Sequence, residues 1–152
     1  MYNVFEVANW FLEKEPMTHK KLQKLCYYTQ AWSYALKNKP FIDSDFQAWI
    51  HGPVSPVLFS RYKGTAFEDL YPDSKVNKAN FKNGDLELLE NIWDTYGNST
   101  GNSLEVLTHK ELPWIKARSG YGTYDKCEVA ISADDMKEYY RSIYNGDLEM
   151  EA

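Results

Sequence analysis

The chain has 152 residues, 43% of them apolar or aromatic, which is enough for one domain to bury a core without metal or disulfide support. With 22 acidic against 17 basic residues and a net charge of −5, it lacks the electrostatic footprint of a general nucleic-acid binder. Two cysteines without C-x-x-C spacing argue against a disulfide framework and a zinc site. The lack of a basic leader or a long apolar run predicts a soluble, cytoplasmic protein that does not enter a membrane.

Asn3, with Glu6 three residues on and Val4, Val7, Ala8 and Phe11 at helical spacing, predicts an amphipathic helix to about Lys14, stopped by Pro16. Thr18 caps a second helix running to about Lys37. Its middle, Leu25 to Leu36, is apolar or aromatic almost all round and belongs at the centre of the fold. Thr29, Gln30 and Ser33 form a narrow strip there with Cys26. A buried unpaired amide costs about 1 to 3 kcal/mol, so Gln30 is expected to bond backbone, or else to face His51 or a bound partner. His19, Lys20, Lys21 and Lys24 read as a solvated basic face.

Phe46, Ala48 and Ile50 alternate with Gln47 and Trp49 as a short strand, with Cys127 to Ile131 as the partner in a small two-stranded β element lying against the helices. Gly52-Pro53 marks a sharp turn and Ser55-Pro56 a helix start, which holds Trp49 and His51 on a rigid corner. The third helix ends near Gly64, and 65–84 reads as an ordered, irregular connector. Leu86, Leu89, Ile92, Trp93 and Tyr96 define a helix from about Asp85 with Gly97 as its C-terminal cap. Ser99 or Thr100 starts the next, which carries Leu104 and Leu107 to His109, and Leu112-Pro113-Trp114 opens a short helical turn. The 118–126 stretch, with Gly120 and Gly122, reads as the most flexible. Ser132 and Asp135 cap a last helix bearing Met136, Tyr139, Tyr140 and Ile143, stopped by Asn145-Gly146. The expected architecture is mainly α: a compact single-domain bundle of about six helices over residues 1–146, followed by an acidic tail at 147–152.

Phosphate-cradling, dinucleotide, zincin and nucleophile-elbow motifs are all missing. His51 and His109 are the residues around which a small metal-dependent hydrolase would have to be built. Against that stand local roles: His51 fixing the turn, His109 interacting with the last carbonyls of its helix, and Trp114 plugging the core. A DNA-binding role for Lys20, Lys21 and Lys24 is disfavoured by the acidic balance. Aromatics make up 16% of the chain, more than core filling requires, which favours a protein-binding module. The candidate contacts are Tyr34, Arg61, Tyr62, Tyr121 and Tyr124, and the 118–126 stretch is expected to order on binding.

Leu22-Gln23-Lys24-Leu25 with Tyr27, Gln30 and Trp32, Phe41 and Asp43, and the run from Ala48 through Trp49, His51, Gly52 and Pro53 to Pro56 with Tyr62 occur in one order and spacing. Tyr96-Gly97, Leu104, Leu107-Thr108-His109 and Pro113-Trp114 follow. In these residues the chain resembles the Panacea domain family of SocA-like and GepA-like phage-associated proteins. The resemblance implies a mainly helical fold and an antitoxin encoded beside its toxin in a prophage or bacterial two-gene system, neutralising it by direct binding. For the SocA-like branch it also implies an adaptor that delivers the toxin to an ATP-dependent protease of the ClpXP type. It implies no catalysis, cofactor or metal, and a scaffold role for Gln30, Trp32, Trp49, His51, Gly52, Pro53, Pro56, His109 and Trp114. Position 51 is histidine where many members have tyrosine, which fits scaffold or partner contact better than proton transfer.

Overall fold

Side-chain caps set most helix starts in this computed structural model, which describes residues 1–65 and 67–145. Asn3 accepts from Phe5 N–H ahead of α1 (Val4–Lys14), and Thr18 accepts from Lys21 N–H ahead of α2 (His19–Lys37). Ser55 does the same for α3 (Pro56–Tyr62), with proline in the first turn. Thr100 caps α5 (Gly101–His109) and Ser132 caps α7 (Ala133–Tyr144). In each case a short polar side chain satisfies an amide that the helix itself leaves without an acceptor. Only α4 (Asn83–Tyr96) and α6 (Leu112–Ala117) start without such a bond.

The architecture is mainly helical, with seven α-helices and two small two-stranded antiparallel sheets among the described residues. One sheet was not expected from sequence: β1 (Met17–Thr18) pairs with β4 (Asp69–Leu70) and ties the connector after α3 to the start of α2. The other adds a partner to the expected strand and corrects the expected turn. β2 (Gln47–Trp49) pairs with β3 (Gly52–Val54), so Gly52-Pro53 lies in a strand and the turn is Ile50-His51. Residues 127–131 lie on the other edge of β2, where Ala48 N–H donates to Val129 O and Ile131 N–H to Phe46 O. Gly52 is required because its φ is +109° and a Cβ there would lie 2.6 Å from Lys24 Cε.

The central helix is α2, and α1, α4, α5 and α7 all pack on it. Leu22, Leu25, Cys26, Tyr27, Tyr28 and Ala31 on it are fully buried, joined by Phe11, Leu89 and Tyr140 from its neighbours. Gln30 spends its amide on backbone: Oε1 accepts from Phe41 and Ile42 N–H, both at 2.8 Å, and Nε2 donates to Ile42 O at 3.0 Å. That clip folds the 38–46 segment back over α2. Gly97 ends α4 in a right-handed conformation instead of a left-handed cap. Its glycine is needed because a Cβ would meet the Trp93 ring at 2.6 Å.

The 118–126 stretch is pinned instead of loose. Arg118, 5% exposed, donates to the carbonyls of Ala48, Gly122 and Asp125 at 2.7 to 2.9 Å. A buried guanidinium with its forked donors satisfied holds the loop against β2. The expected stop at Gly146 and the 147–152 tail lie outside the described residues.

Candidate functional site, a cleft beside the central helix

The N-terminal half of α2, the β2–β3 hairpin, α3 and residues 126–128 enclose a cleft of about 490 Å³, within the size range of ligand and side-chain pockets. Gln23 builds its floor by clipping α2 to the α3 cap: Oε1 accepts from Ser55 N–H at 2.8 Å and Nε2 donates to Ser55 O at 3.2 Å. The same Nε2 lies 3.0 Å from His19 Nε2. Because an amide nitrogen only donates, that imidazole nitrogen is the acceptor and His19 is neutral. Burial, followed by the charge of Lys24, pushes the His19 pKa down to about 4. Its ring stacks on Phe59 at 5.5 Å, and Trp49 meets the same phenyl edge-on at 4.9 Å.

Lys24 overturns the expectation of a solvated basic face. It is 1% exposed, and Lys21 and His19 are buried beside it. Lys21 donates to Gly97 O at 2.6 Å, capping the turn after α4. Lys24 borders the cleft, and its Nζ donates to Pro53 O at 3.2 Å. Burial lowers its pKa to about 7, against the pull of the Glu105 carboxylate. Glu105 accepts from Lys20 at 2.6 Å and lies 3.1 Å from His51 Nδ1. Burial raises its pKa, but the bonds from Lys20 and His51 hold it below the usual carboxylate range.

One turn further along α2 lies a second polar cluster, closed to solvent. Glu111, 5% exposed, accepts from Tyr28 OH at 2.7 Å and Tyr140 OH at 2.9 Å. Tyr27 and Tyr140 hydroxyls lie 3.1 Å apart, and Trp32 Nε1 donates to Tyr96 OH at 2.9 Å. Burial pushes Glu111 up to about 7 although both phenols favour its charged form. Neither Lys24 nor Glu111 stood out in the sequence reading as a buried site. The available signal is the i, i+4 spacing that places Lys24 next to Tyr28, at the edge of the apolar and aromatic middle of the helix.

The other expected residues scatter. Tyr62 is 8% exposed, so it is a cleft wall and not a surface contact, and its hydroxyl donates to Asp73. Tyr34 is half-buried and packed on the core. Arg61 is exposed, stacked on Phe5 and paired with Asp73 at 3.1 Å. Tyr121 and Tyr124 are exposed. Trp32, Trp49 and Trp114 are partly buried, and Trp114 Nε1 donates to Trp49 O at 2.8 Å, fixing the hairpin. Pro53 is buried and Pro56 lies in the first turn of α3. His109 stacks on Trp114 at 4.0 Å, whereas the His51 side chain is 70% exposed. Both histidines border Glu105 electrostatically. Among the described residues, no group of three His, Cys, Asp or Glu side chains is arranged to hold a metal ion. No helix there is long and apolar enough to cross a membrane.

Fold and site together define a mainly helical protein built round one aromatic helix, with most of its buried polar groups bonded within the scaffold and a recessed apolar cleft at one end. Residues 22–115 match the antitoxin SocA-like, Panacea domain family, and the chain belongs to that family. It is 26% identical over 151 residues to "Antitoxin SocA" of Caulobacter vibrioides, covering 89% of this chain and 80% of that protein. No solved structure matches it.

Proposed function

We propose that this protein is an antitoxin that neutralises a cognate toxin by direct protein–protein binding in the cytoplasm, with no chemistry of its own. The observation that carries the reading is the extent of the family match: residues 22–115 run from α2 through the hairpin and α3 to α6 and include most of the cleft lining, from Gln23 to Gly64. The domain at 1–146 is the binding unit, and 147–152 is a tail outside it. A stable complex needs about 800 Å² of this partner's surface with a few aromatic or arginine anchors. The cleft with Trp49 and Phe59, and the exposed Arg61, Tyr121 and Tyr124, are the candidates. The bound toxin is either held inert or handed to an ATP-dependent protease of the ClpXP type.

Co-expression with the product of the adjacent gene tests the reading. Growth is expected to recover and the two proteins to co-purify; neither rescue nor complex would sink it. Toxin half-life in cells lacking the protease separates simple sequestration from delivery.

A further inference from the structure

The cleft differs in charge from the protein that carries it. On a chain of net charge −5, its lining holds four lysines, Lys20, Lys24, Lys63 and Lys126, against one acid, Glu128. Two of these are already matched, Lys20 by Glu105 at 2.6 Å and Lys126 by Glu128 at 3.0 Å. Lys63 adds an exposed cation at the rim.

Among the described residues Lys24 has no ion-pair partner in contact, although the Glu105 carboxylate pulls on it from beyond bonding distance. An ammonium carries three N–H donors, and the Pro53 carbonyl at 3.2 Å takes one. Removing a charge from water without a counter-charge in contact is unfavourable by several kcal/mol, so an anion entering the cleft would gain an almost fully desolvated partner. The walls around it are apolar, made by Trp49, Val54, Phe59 and Tyr62. A ligand suited to both features has a large apolar group beside a carboxylate.

We propose that the cleft is the docking site for an apolar, acid-bearing segment of the partner protein, with a large side chain against Trp49 and Phe59 and a carboxylate reaching the Lys24 ammonium. This rests on the reading of the protein as one that binds a partner protein. Charge complementarity selects the occupant: Lys24 and Lys63, the two lining lysines not matched above, disfavour a basic segment, and the buried Lys24 favours a carboxylate that enters the cleft.

Two arms on the intact chain test it. In the first, 3-phenylpropionate and its neutral analogue 3-phenylpropionamide are titrated into isotopically labelled protein, following the Trp49 indole and the Gly52 amide by NMR. The acid is expected to bind about tenfold more tightly than the amide, and Lys24→Met to erase that difference. Equal binding of acid and amide to the wild type overturns the proposal. In the second arm, Lys24→Met and Lys63→Glu are co-expressed with the adjacent gene's product. Lys24→Met is expected to stay folded by circular dichroism and to lose co-purification, with a smaller loss for Lys63→Glu. Unchanged capture by Lys24→Met overturns partner docking and leaves the cleft to a small carboxylic acid. A dimer that 3-phenylpropionate dissociates, or a gain in probe affinity on deleting 147–152, assigns the cleft to a second copy or to the chain's own tail and also overturns it. Failure of the wild-type protein itself to capture a toxin counts against the proposed function, while the first arm still reads the chemistry of the cleft.

Discussion

Two buried titratable groups, Lys24 on α2 and Glu111 held by Tyr28 one helical turn further along it, meet burial in opposite ways. Glu111 is closed over by phenol donors at 2.7 and 2.9 Å, so its site is complete within the chain. Lys24 donates to one carbonyl at 3.2 Å and borders a cleft. Burial raises the acid and lowers the base, and both arrive at about 7 from opposite sides. A completed polar cluster is scaffold; an incomplete one is where something else can bind.

The signs follow from linkage. Folded Glu111 keeps a proton that the unfolded chain has released between its ordinary 4.5 and about 7, so its contribution to stability falls as pH rises through that window. Folded Lys24 has released a proton that the unfolded chain still holds between about 7 and its ordinary 10.5, so its contribution rises with pH there. His19, lowered from 6.5 to about 4, likewise favours the folded state as pH rises through that range. Cleft and closed cluster therefore pull the pH profile in opposite directions.

The most disruptive way to break the comparison is Gly52→Val, which forces a branched residue to φ +109° and against Lys24 and Thr108. The expected loss is about 4 kcal/mol or more, enough to unfold the domain in a urea titration followed by circular dichroism. A stable variant would show that the hairpin is not a rigid wall of the cleft. Lys24→Met is expected to act the other way, stabilising the protein by about 3 kcal/mol near pH ~6 by removing an unpaired buried charge. The gain should shrink as pH rises towards the ordinary lysine value, and a pH-independent gain would contradict a buried ammonium. Glu111→Gln sharpens the closed end: wild-type stability attributable to this group should fall by about 2 to 3 kcal/mol between pH ~5 and ~8, and the variant should lack that fall. Parallel profiles would refute the assignment. The smallest effect is expected from His51→Tyr, whose side chain is 70% exposed and gives up only its exposed contact with Glu105. A melting curve should place it within about 0.5 kcal/mol of wild type.

Much of the fold was legible before the structure. The starts of α1, α2, α3 and α7 were each announced by a capping residue next to an apolar period, and Gln30 stood out as an amide that had to find partners. The hairpin was not, because Gly52-Pro53 reads as a turn in isolation, and only the pairing of Trp49 with Gly52 moves the turn to Ile50-His51. In the sequence Tyr62 is only a candidate contact, because its burial depends on His19 and Asp73 folding around it. Arg118 was hidden for a similar reason: glycines at 120 and 122 suggest looseness, and the carbonyls that hold the guanidinium include one 70 residues away.

What the sequence determined by itself was local: helix positions, the centrality of α2 and the order of motifs that mark the family. Capping, periodicity and backbone constraint act over a few residues and leave their signature in the chain. Only the tertiary structure decided which polar side chains of α2 are buried and which of those are complete. Lys24 meets a carbonyl 29 residues away and Tyr28 a carboxylate 83 residues away. Whether a charge is desolvated, matched or left facing a cleft depends on what folds over it, and no local pattern carries that.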